Sequence, residues 1–313
     1  MEPRVSAIIP AYNAAATVDA AIGSVLAQKY QGFELIVVND GSTDATAEVL
    51  RGYGDRITVI EQANAGAAAA RNAGLRAARG SYIALLDADD LWKPQLLERL
   101  VPILDADSEC ALAYGDLEMI DSNGNSLHTG LIGAAVAHAP TLDEMLHRVW
   151  PIMPSAVVMR RSVLEAIGGF CTEFRSCTYE DLYCWMRARE HGHFVYVPER
   201  LAFWRFALFP RPLKRRGRLS AHNREVFARL VRDRWGVTIT PLMTARIRAP
   251  RSILGYIGLK AMRDGDTQRA REAFRYALEL DPRRVKNYLR LARTYLPAGL
   301  ARALSGRTGR QSG

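Results

Sequence analysis

The sequence predicts an α/β fold, in which a mostly parallel sheet is flanked by helices and followed by a helical C-terminal extension. Three observations predict it. Short apolar runs alternate with amphipathic helical patterns through the N-terminal third of the chain, as in a sheet covered on both faces. The 313 residues are 49% apolar and 24% charged, which is typical of globular proteins and excludes a disordered chain, a collagen and a coiled coil. Acidic and basic residues are also segregated along the chain, which divides it into two parts.

Four strands are predicted first, and the first of them is a continuous apolar run closed by a proline, the pattern of a parallel strand that is buried on both faces. They span residues 5–10, 34–38, 57–60 and 82–86. Predicted helices follow at residues 14–28, 42–50, 67–79 and from 94 onward. Pro94 suits a first helical turn because its missing N–H would have no partner there. Strands and helices therefore alternate, so ligands are expected outside the carboxyl ends of the strands.

The middle of the chain mixes both element types. Strands are predicted at residues 111–114, 156–159 and 194–197, a turn at 121–125, and helices at 162–167 and 180–190. The helix from residue 180 begins with two acids and carries Arg187 and Arg189 late, which matches the helix dipole.

Polar, turn-forming residues follow three of the first four strands, at 12–13, 39–41 and 87–90. The carboxyl ends of parallel strands lie on one edge of the sheet, so we expect these segments to converge there. In the last of them, Asp87 and Asp89 alternate along the strand end and point the same way. Two such carboxylates can hold a divalent cation through hard oxygen ligands. The alternative is structural, with Asp89 or Asp90 capping the helix near residue 94.

Four motifs that occur in order resemble the signature of glycosyltransferase family 2. They read Pro10-Ala11-Tyr12-Asn13, Asn39-Asp40-Gly41-Ser42-Thr43-Asp44, Asn64-x-Gly66 leading to Ala70-Arg71-Asn72, and Leu86-Asp87-Ala88-Asp89-Asp90. Downstream, Gly168-Gly169-Phe170 followed by Glu180-Asp181 resembles the acceptor-side half of that family. The resemblance covers residues 4–205 and implies a Rossmann-like GT-A fold and an inverting transfer of sugar from a nucleotide sugar.

The resemblance implies a donor site built around the first three motifs. Pro10, Tyr12 and Asp40 would hold the nucleotide base, and a carboxylate at Asp40 can accept the N–H of a uracil-type ring. Arg71 would lie near the donor, where a guanidinium can bind phosphate bidentately, and Asp87 would contact ribose or metal. Two structural alternatives stay open: an Asx turn at Asp40 and a solvated helix position for Arg71.

The resemblance also implies a metal and a catalytic base. Asp89 would coordinate a divalent metal, Mn²⁺ or Mg²⁺, that bridges the donor diphosphate and stabilises the leaving group. Asp181 matches the catalytic base, which removes the proton of an acceptor hydroxyl, and Glu180 is the adjacent, less favoured acid. Gly169, Glu180 and Arg205 would lie on the acceptor or diphosphate side. The structural alternative is that two acids suit a helix start for electrostatic reasons alone.

The chain departs from the family pattern after the last predicted strand. Many members carry an aromatic-Arg-x-His element, whereas this chain has Trp204-Arg205-Phe206-Ala207, with no histidine. We expect Arg205 to keep a diphosphate contact, and we assign no role to His191, His193 or His222.

Four cysteines lack the paired spacing of a zinc site and do not read as a disulfide framework in a chain of this length. They are Cys110, Cys171, Cys177 and Cys184. We interpret them as thiols in a reducing compartment. No leader pattern precedes the first strand, and no apolar run approaches the roughly 20 residues that span a bilayer. The sequence therefore predicts a cytoplasmic protein, either free or peripheral on the inner face of the cell membrane.

Charge marks the predicted domain boundary. Residues 1–204 carry a net charge of −10, and residues 205–313 carry +19. We therefore predict a glycosyltransferase domain at 1–205 and a basic α-helical extension at 206–313. Within the extension, residues 251–284 match the spacing of a tetratricopeptide unit at Leu254, Gly258, Ala270, Phe274, Ala277 and Pro282. So short a repeat array cannot bury its own faces, which predicts docking on a partner or on the rest of the chain.

Three interpretations of the basic extension are open. It is a helical appendage with solvated arginines, it attaches to an anionic membrane face, or it binds nucleic acid. Polybasic segments gain about 1 kcal/mol per Lys or Arg near an anionic membrane, and an apolar stripe between Val226 and Trp235 is suited to lie in the interface. A nucleic-acid partner is not expected, because the extension lacks a recognised binding module.

The motif set predicts an enzyme. It would be a metal-dependent, inverting glycosyltransferase that moves a sugar from a nucleoside diphosphate donor, expected to be UDP-linked, to a hydroxyl of a glycan or lipid-linked acceptor. The predicted setting is surface polysaccharide biosynthesis. Two alternatives are kept. One is a catalytically degenerate family member that acts as a binding or scaffold protein through its tetratricopeptide-like tail, and the other is a nucleotidyltransferase, which would release pyrophosphate.

Overall fold

The structure, a computed structural model, describes residues 2–121, 123–130, 138–147, 150–174, 179–205, 213–238, 258–259, 261–262, 265–280 and 285–296. The chain divides into two compact units, Met1–Thr240 and Pro241–Gly313. The first unit carries the sheet and the predicted site residues, and the second is helical in its described part.

In its described part, the first unit contains one nine-stranded sheet. The strands are β1 (Val5–Ala11), β2 (Phe33–Asp40), β3 (Thr58–Gln62), β4 (Tyr82–Leu85), β5 (Leu91–Trp92), β6 (Cys110–Ile120), β7 (Ser126–Gly130), β8 (Val157–Arg160) and β9 (His193–Arg205). The helices are α1 (Val18–Leu26), α2 (Thr46–Arg51), α3 (Ala67–Ala77), α4 (Leu96–Ala106), α5 (Leu142–His147), α6 (Arg161–Ala166), α7 (Glu180–Ala188) and α8 (Leu213–Trp235). Short 3₁₀ turns occur at Gly54–Arg56 and Pro154–Ala156.

The sheet is mixed, with a parallel half and a half that contains antiparallel neighbours. The strand order is β3-β2-β1-β4-β8-β6-β9-β5, and β7 pairs with β6 off that path. Strands β1 to β4 are parallel to one another, as the alternation of strands and helices predicts. Strand β8 runs antiparallel between β4 and β6, which places the middle of the chain directly beside the N-terminal strands.

Strand β9 is much longer than the strand expected at residues 194–197. It has 13 residues and pairs in parallel with β6, with a register shift between Gly115 and Asp116. Pro198 follows Val197 and interrupts the apolar pattern, but pairing resumes at Arg200. Bulges of this kind absorb extra residues and bend a strand. The strand can therefore continue past the irregularity to the far edge of the sheet.

The core fills both faces of the sheet. Every residue of β1 except Pro10 is buried, as are all four residues of β4. Helix α4 contributes Leu97, Leu100 and Val101, each 0% exposed. Burying one such side chain contributes about 1.5–3 kcal/mol. The continuous apolar runs of the sequence therefore keep these strands in the interior.

The first unit extends beyond the boundary predicted near residue 205. Helix α8 buries Val226, Phe227 and Val231, which are 8%, 2% and 0% exposed. These residues belong to the stripe that the sequence suggested for a membrane interface, and that suggestion is wrong because protein already covers them. An amphipathic stripe predicts that a helix has a buried face, but it does not identify what buries it.

The described part of the second unit contains α9 (Thr267–Leu280) and α10 (Val285–Arg293), preceded by helical residues at 258–259 and 261–262. Four positions of the tetratricopeptide spacing are buried, namely Gly258, Ala270, Phe274 and Ala277. A Cβ at Gly258 would lie 2.5 Å from the Phe274 ring, so only glycine permits this close approach. Leu254 and Pro282 of the same spacing lie outside the described residues.

The thiols are unpaired where the structure describes them. Cys110, Cys171 and Cys184 are free, and Cys177 lies outside the described residues. Burial raises the pKa of all three described thiols, which keeps them protonated and poorly reactive.

Candidate active site

The first two motifs meet at the carboxyl edge of the sheet. The Asn13 side chain accepts a hydrogen bond from the Thr43 backbone N–H at 2.7 Å, and the Ser42 hydroxyl accepts one from the Asn13 N–H at 3.0 Å. Asn13 has a φ of +49°, a conformation that asparagine adopts more readily than most residues. Tyr12 stands beside this link with 45% of its surface exposed, and Pro10 precedes it within β1. The ends of β1 and β2 therefore converge as expected.

Asp40 is the last residue of β2, and its side chain binds the backbone of the third motif. It is 2% exposed, and its carboxylate accepts hydrogen bonds from the backbone N–H groups of Ala65 and Gly66, both at 2.8 Å, and from a glutamine side chain of β3. The Asp40 contacts above do not form the Asx turn considered for this residue; its neighbour Asn39 closes the turn by accepting the N–H of Ser42, three positions on, at 3.2 Å. A carboxylate offers about four acceptor positions. Asp40 therefore keeps capacity for a ligand N–H, although that contact stays a prediction.

Gly41 is required at the same turn. Its φ is +69°, and a Cβ there would lie 2.7 Å from the backbone nitrogen of Asn64. Positive φ favours glycine, and the close approach leaves no room for a side chain. The Asp-Gly pair thus brings residues 64–66 against the end of β2.

The fourth motif places three carboxylates in different surroundings. Asp87 binds Arg71, with 2.6 Å between Oδ1 and Nη2. Asp89 is exposed at the edge of the sheet. Asp90 is 1% exposed and accepts hydrogen bonds from a serine hydroxyl at 2.5 Å and from the Arg205 backbone N–H at 2.8 Å. Asp87 is thus paired with an arginine, Asp89 is exposed, and Asp90 is buried in the protein interior.

The helix-capping alternative for this motif is not supported. Helix α4 begins at Leu96, and its cap residue Gln95 makes no side-chain cap hydrogen bond. Burial raises the pKa of Asp90 well above its usual range. Desolvation by the surrounding protein, and then the charge of Asp87, raise the pKa of Asp89 to about 6, although the residue is exposed. The crowding of like charges at this edge would be relieved by a bound cation.

Arg71 joins the fourth motif to the downstream half of the chain. It is 2% exposed, so the solvated position considered for it is wrong. From α3, its guanidinium binds Asp87 and also Glu180, at 3.3 Å, and its Cζ lies 5.4 Å from the centre of the Phe170 ring. Glu180 is 109 positions away in sequence. A contact between Arg71 and a donor phosphate stays a prediction.

Asn72, the neighbour of Arg71, clamps the downstream glycine-rich motif. Its side-chain amide donates to the Phe170 carbonyl and accepts the Phe170 N–H, both at 2.8 Å. Gly169 has a φ of +75°, and a Cβ there would collide with the Asn72 side chain. These contacts therefore attach the glycine-rich segment around Phe170 to α3. A role for Gly169 at an acceptor stays a prediction.

Helix α7 presents the two acids that follow. Glu180 is 3% exposed, and Asp181 is half-buried beside it. Burial, and then the charge of Asp181, raise the pKa of Glu180 to about 8, and burial raises the pKa of Asp181 as well. Among the described residues, Arg71 binds both Asp87 and Glu180, and the raised pKa of Glu180 favours its protonated form at neutral pH. Glu180 is the most deeply buried, which leaves Asp181 as the better candidate for a base.

Arg205 reaches the exposed aspartate. Its Nε donates to the Asp89 carbonyl at 2.8 Å, and its Nη1 donates to the Asp121 carbonyl at 3.3 Å. A cation at this edge suits a diphosphate, and that contact stays a prediction. His193 lies at the opposite end of β9, where it binds Asp107 at 2.9 Å.

The oxygen ligands at this edge fit a metal that binds together with a substrate. Within the part of the chain that the structure describes, no group of three or more His, Cys, Asp or Glu side chains forms a metal cage. Asp89 offers an exposed carboxylate, and Asp87 binds Arg71 through one of its two oxygens. Mg²⁺ is commonly held by one or two carboxylates, with substrate phosphates in its remaining positions. A metal of this kind would not need a complete protein cage.

Comparison with known families agrees with this arrangement. The model of glycosyl transferase family 2 matches residues 6–168, about half of the chain. The chain belongs to glycosyltransferase family 2. The match spans β1 to α6 and so includes the carboxyl edge of the sheet, whereas α7 with its two acids lies beyond it.

Several curated glycosyltransferases are similar in sequence. An uncharacterised glycosyltransferase of Nostoc sp. (strain PCC 7120) is 38% identical over 176 residues, 52% of this chain and 53% of that one. The putative teichuronic acid biosynthesis glycosyltransferase TuaG of Bacillus subtilis is 38% identical, over 46% of this chain and 58% of its own. WfgD of Escherichia coli, a UDP-Glc:α-D-GlcNAc-diphosphoundecaprenol β-1,3-glucosyltransferase, is 35% identical, over 58% and 68%. The chain therefore spans about half to two thirds of the length of these relatives.

Solved structures with the same fold are glycosyltransferases. TarS residues 1–349 of S. aureus, in complex with UDP-GlcNAc, has a TM-score of 0.56 at 15% identity, over 97% of this chain and 92% of that one. A mannosyltransferase of Pyrobaculum calidifontis, in complex with GDP-Man and Mn²⁺, has a TM-score of 0.54 at 22% identity, over 100% and 82%. At these identities the likeness shows the fold, which is the expected GT-A fold.

Sequence reasoning found the charged residues of the site but missed the contacts that join them. Asn72 and Phe170 occur in the motifs without a role, and the structure makes them the link between α3 and the glycine-rich segment. Phe227 of α8 gave only the signal of an apolar stripe. No short-range pattern could have paired it with residues near α7, because such pairing depends on the tertiary fold.

Proposed function

We propose that this protein is an inverting glycosyltransferase that transfers a sugar from a nucleoside diphosphate to a hydroxyl group. The chain of contacts from Asp87 through Arg71 to Glu180 carries the proposal, at 2.6 and 3.3 Å. It joins the donor-side edge of the sheet to the first turn of α7, where Asp181 lies. A donor held at the edge and an acceptor held at α7 would meet between them.

The proposed reaction is one displacement at the anomeric carbon. The acceptor oxygen attacks that carbon, the bond from it to the donor diphosphate breaks, and the nucleoside diphosphate leaves with the electron pair. Asp181 takes the proton of the acceptor hydroxyl. Glu180, protonated and buried against Arg71, is proposed to help hold the cluster. A single displacement from the opposite side inverts the anomeric configuration.

The proposed donor site lies at the first three motifs. Tyr12 exposes an aromatic face on which a base can stack, Pro10 precedes it, and Asp40 can accept a ring N–H. The guanidinium of Arg205 is proposed to bind the diphosphate. UDP is the proposed nucleotide, supported by the UDP-Glc in the name of the Escherichia coli relative. The structural neighbours hold UDP-GlcNAc or GDP-Man, so the nucleotide needs a direct test.

A divalent metal, Mn²⁺ or Mg²⁺, is proposed to bind at Asp89, with Asp87 beside it. When bound, such a metal stabilises the negative charge that develops on the departing diphosphate. The Mn²⁺ in the mannosyltransferase neighbour supports the proposal. Arg205 adds a permanent positive charge at the same edge.

The proposed acceptor is a glycan or a lipid-linked glycan, in surface polysaccharide biosynthesis. The name of TuaG places that protein in teichuronic acid biosynthesis, and the name of WfgD gives a diphosphoundecaprenol-linked acceptor. Both names support this class of acceptor for the present chain.

A donor panel tests the proposed function. UDP-Glc, UDP-GlcNAc, UDP-Gal and GDP-Man are incubated with the protein with Mn²⁺, with Mg²⁺ or with a chelator, and both nucleoside diphosphate and pyrophosphate are measured. We expect release of nucleoside diphosphate from one donor, and loss of that release on chelation. Pyrophosphate release would indicate a nucleotidyltransferase, and no turnover of any donor would favour a binding or scaffold protein. Activity that survives both chelation and Asp89→Ala would refute the metal site.

We further propose that the second unit contacts an anionic membrane surface through α10. None of the described helices is long and apolar enough to cross a membrane. Helix α10 exposes Val285, Tyr288 and Leu289 at 68%, 51% and 62%, and these share one face because they lie three and four positions apart. The opposite face turns inward through Asn287, which is 1% exposed, and through Leu291, which packs on the apolar cluster of this unit, so apolar side chains occur on both faces of the helix. The second unit also carries 16 basic and 5 acidic residues.

Vesicle co-sedimentation tests this membrane contact. We expect binding to phosphatidylglycerol-containing vesicles, weakening as salt is raised, and little binding to phosphatidylcholine alone. Leu289→Asp should weaken binding about tenfold, since it places a charge in the apolar face. Val59→Asp, at an exposed apolar position of the first unit, is the matched control and should bind like wild type. Binding that ignores anionic lipid, or equal losses in both variants, would contradict the proposal.

A further inference from the structure

The turn that leads into α7 has an unusual backbone conformation. Tyr179 has a φ of +74° and a ψ of −17°, in the left-handed region. This region is unfavourable for a residue with a Cβ and favourable for glycine. The Tyr179 side chain is 3% exposed, so this residue is packed inside the protein. Such a conformation persists only where the surroundings determine it strongly.

Helix α8 supplies those surroundings. The Phe227 ring, 2% exposed, lies 5.0 Å from the Tyr179 ring, centre to centre. One helical turn further along α7, Tyr183 packs against Trp235 at 5.8 Å, nearly edge to face. Beyond the end of α7, Glu190 accepts a hydrogen bond from the indole N–H of Trp235 at 2.8 Å. Helix α8 therefore contacts α7 from the turn before it to the turn after it.

Two ion pairs accompany the ring contacts. Arg229 binds Glu173, and Arg234 binds Glu190 at 2.5 Å. The four side chains are partly exposed, and ion pairs near water contribute little. The buried aromatic rings therefore carry most of the attachment of α8 to α7.

The turn matters because it directly precedes the two acids. Its geometry sets the direction of the first turn of α7, which places Glu180 3.3 Å from Arg71 and Asp181 beside it. We propose that Phe227 is a positioning residue: by packing on Tyr179 it holds the left-handed turn, and so holds Asp181 where an acceptor hydroxyl binds. The proposal rests on the proposed function, in which Asp181 is the base.

Two substitutions at Tyr179 separate the ring from the backbone. Tyr179→Ala and Tyr179→Gly both remove the ring, but only glycine keeps a positive φ easily. We expect kcat to fall about tenfold or more in Tyr179→Ala and to be at least about threefold higher in Tyr179→Gly, with the donor KM within about twofold of wild type in both. Equal kcat values in the two variants would overturn the proposal, because the backbone conformation would then not matter.

A matched pair on α8 separates positioning from stability. Phe227→Ala and Val231→Ala both truncate buried apolar side chains, and of the two residues Phe227 is the one in ring contact with Tyr179. Both should lower Tm, but only Phe227→Ala should lower kcat, by about tenfold, at a temperature where both are folded. Phe227→Tyr, which keeps an aromatic ring, should recover most of the activity. Equal kcat losses in Phe227→Ala and Val231→Ala would show that α8 contributes stability alone.

Hydrogen exchange gives a readout that does not depend on turnover. The Tyr183 N–H donates to the Tyr179 carbonyl at 2.9 Å, the hydrogen bond that closes the first turn of α7. Exchange at this amide should accelerate about tenfold in Phe227→Ala and not in Val231→Ala. If wild type turns over no donor, the proposed function fails while this measurement still tests the positioning role. Unchanged exchange in Phe227→Ala would overturn that role.

Discussion

The donor-side edge and the first turn of α7 are held by different kinds of contact. At the edge, the side chain of one motif holds the backbone of the next, as Asp40 does for Gly66, 26 positions away. At α7, the contacts come from Arg71, 109 positions away, and from Phe227 of α8. The first set lies within the family match and the second extends beyond it. Donor binding and turnover should therefore respond to different substitutions.

The largest effect is expected at the α7 side of this comparison. Asp181→Asn removes the proposed base but can still accept the Leu182 N–H, which Asp181 accepts at 2.7 Å. We expect kcat to fall about 10²–10⁴-fold with the donor Kd unchanged. Nucleoside diphosphate release and titration calorimetry measure the two quantities, and Glu180→Gln is the adjacent control, expected to lose less. An unchanged kcat in Asp181→Asn would contradict the proposal that Asp181 is the base and that turnover depends on the first turn of α7.

Arg71 connects the two regions, so its loss should damage both. Arg71→Ala leaves Asp87 and Glu180 without their shared cation, and breaking a buried ion pair costs about 3–5 kcal/mol of unfolding free energy. Arg79→Ala is the matched control, because Arg79 is 68% exposed and binds Glu34 at the surface, where about 0–1 kcal/mol is expected. Urea unfolding measures the difference. Equal destabilisation in the two variants would mean that Arg71 does not hold the regions together.

Asp40 tests the donor side alone. Asp40→Ala leaves the N–H groups of Ala65 and Gly66 without their acceptor, at a cost of about 1–3 kcal/mol of unfolding free energy. We expect a weaker Kd for UDP with kcat at saturating donor largely retained, and an intermediate effect in Asp40→Asn, which keeps one acceptor oxygen. A loss of kcat in Asp40→Ala with an unchanged Kd for UDP would contradict the proposal that this edge of the sheet binds the donor.

The smallest effect is a change in how stability depends on pH. Burial raises the pKa of Glu180 to about 8 in the folded state, from 4.5 ordinarily. Between these values the folded state binds more protons than the unfolded state, so this residue makes stability fall as pH rises. Glu180→Gln removes this titrating group, so the profile of Tm against pH should become flatter between pH 5 and 8. The difference in bound protons between the folded and unfolded states should fall by up to about one proton. Glu98→Gln, on the exposed surface of α4, should leave the profile as in wild type.

The sequence predicted the first four strands and the polar residues at their ends well, because these signals are short-range. Apolar runs and the polar residues after them predicted β1 to β4, and Asp40, Asp87 and Asp89 follow directly from the strand ends. It could not predict that Arg71 is buried. The alanine-rich pattern of α3 does not indicate which face of the helix packs against Glu180, which is distant in sequence. It also left a membrane interface open as one interpretation of the apolar stripe that contains Phe227. An apolar stripe has the same pattern whether lipid or protein covers it.

The attachment of α8 to α7 restricts how this fold can be recombined. An exchange of modules with another family member at residue 205, where the last strand ends, would separate Tyr179 and Tyr183 from the rings of α8. The hybrid would expose aromatic surface and lose the support of the turn before Glu180. A chimaera that is to keep α8 packed on α7 must therefore inherit residues 179–238 as one piece.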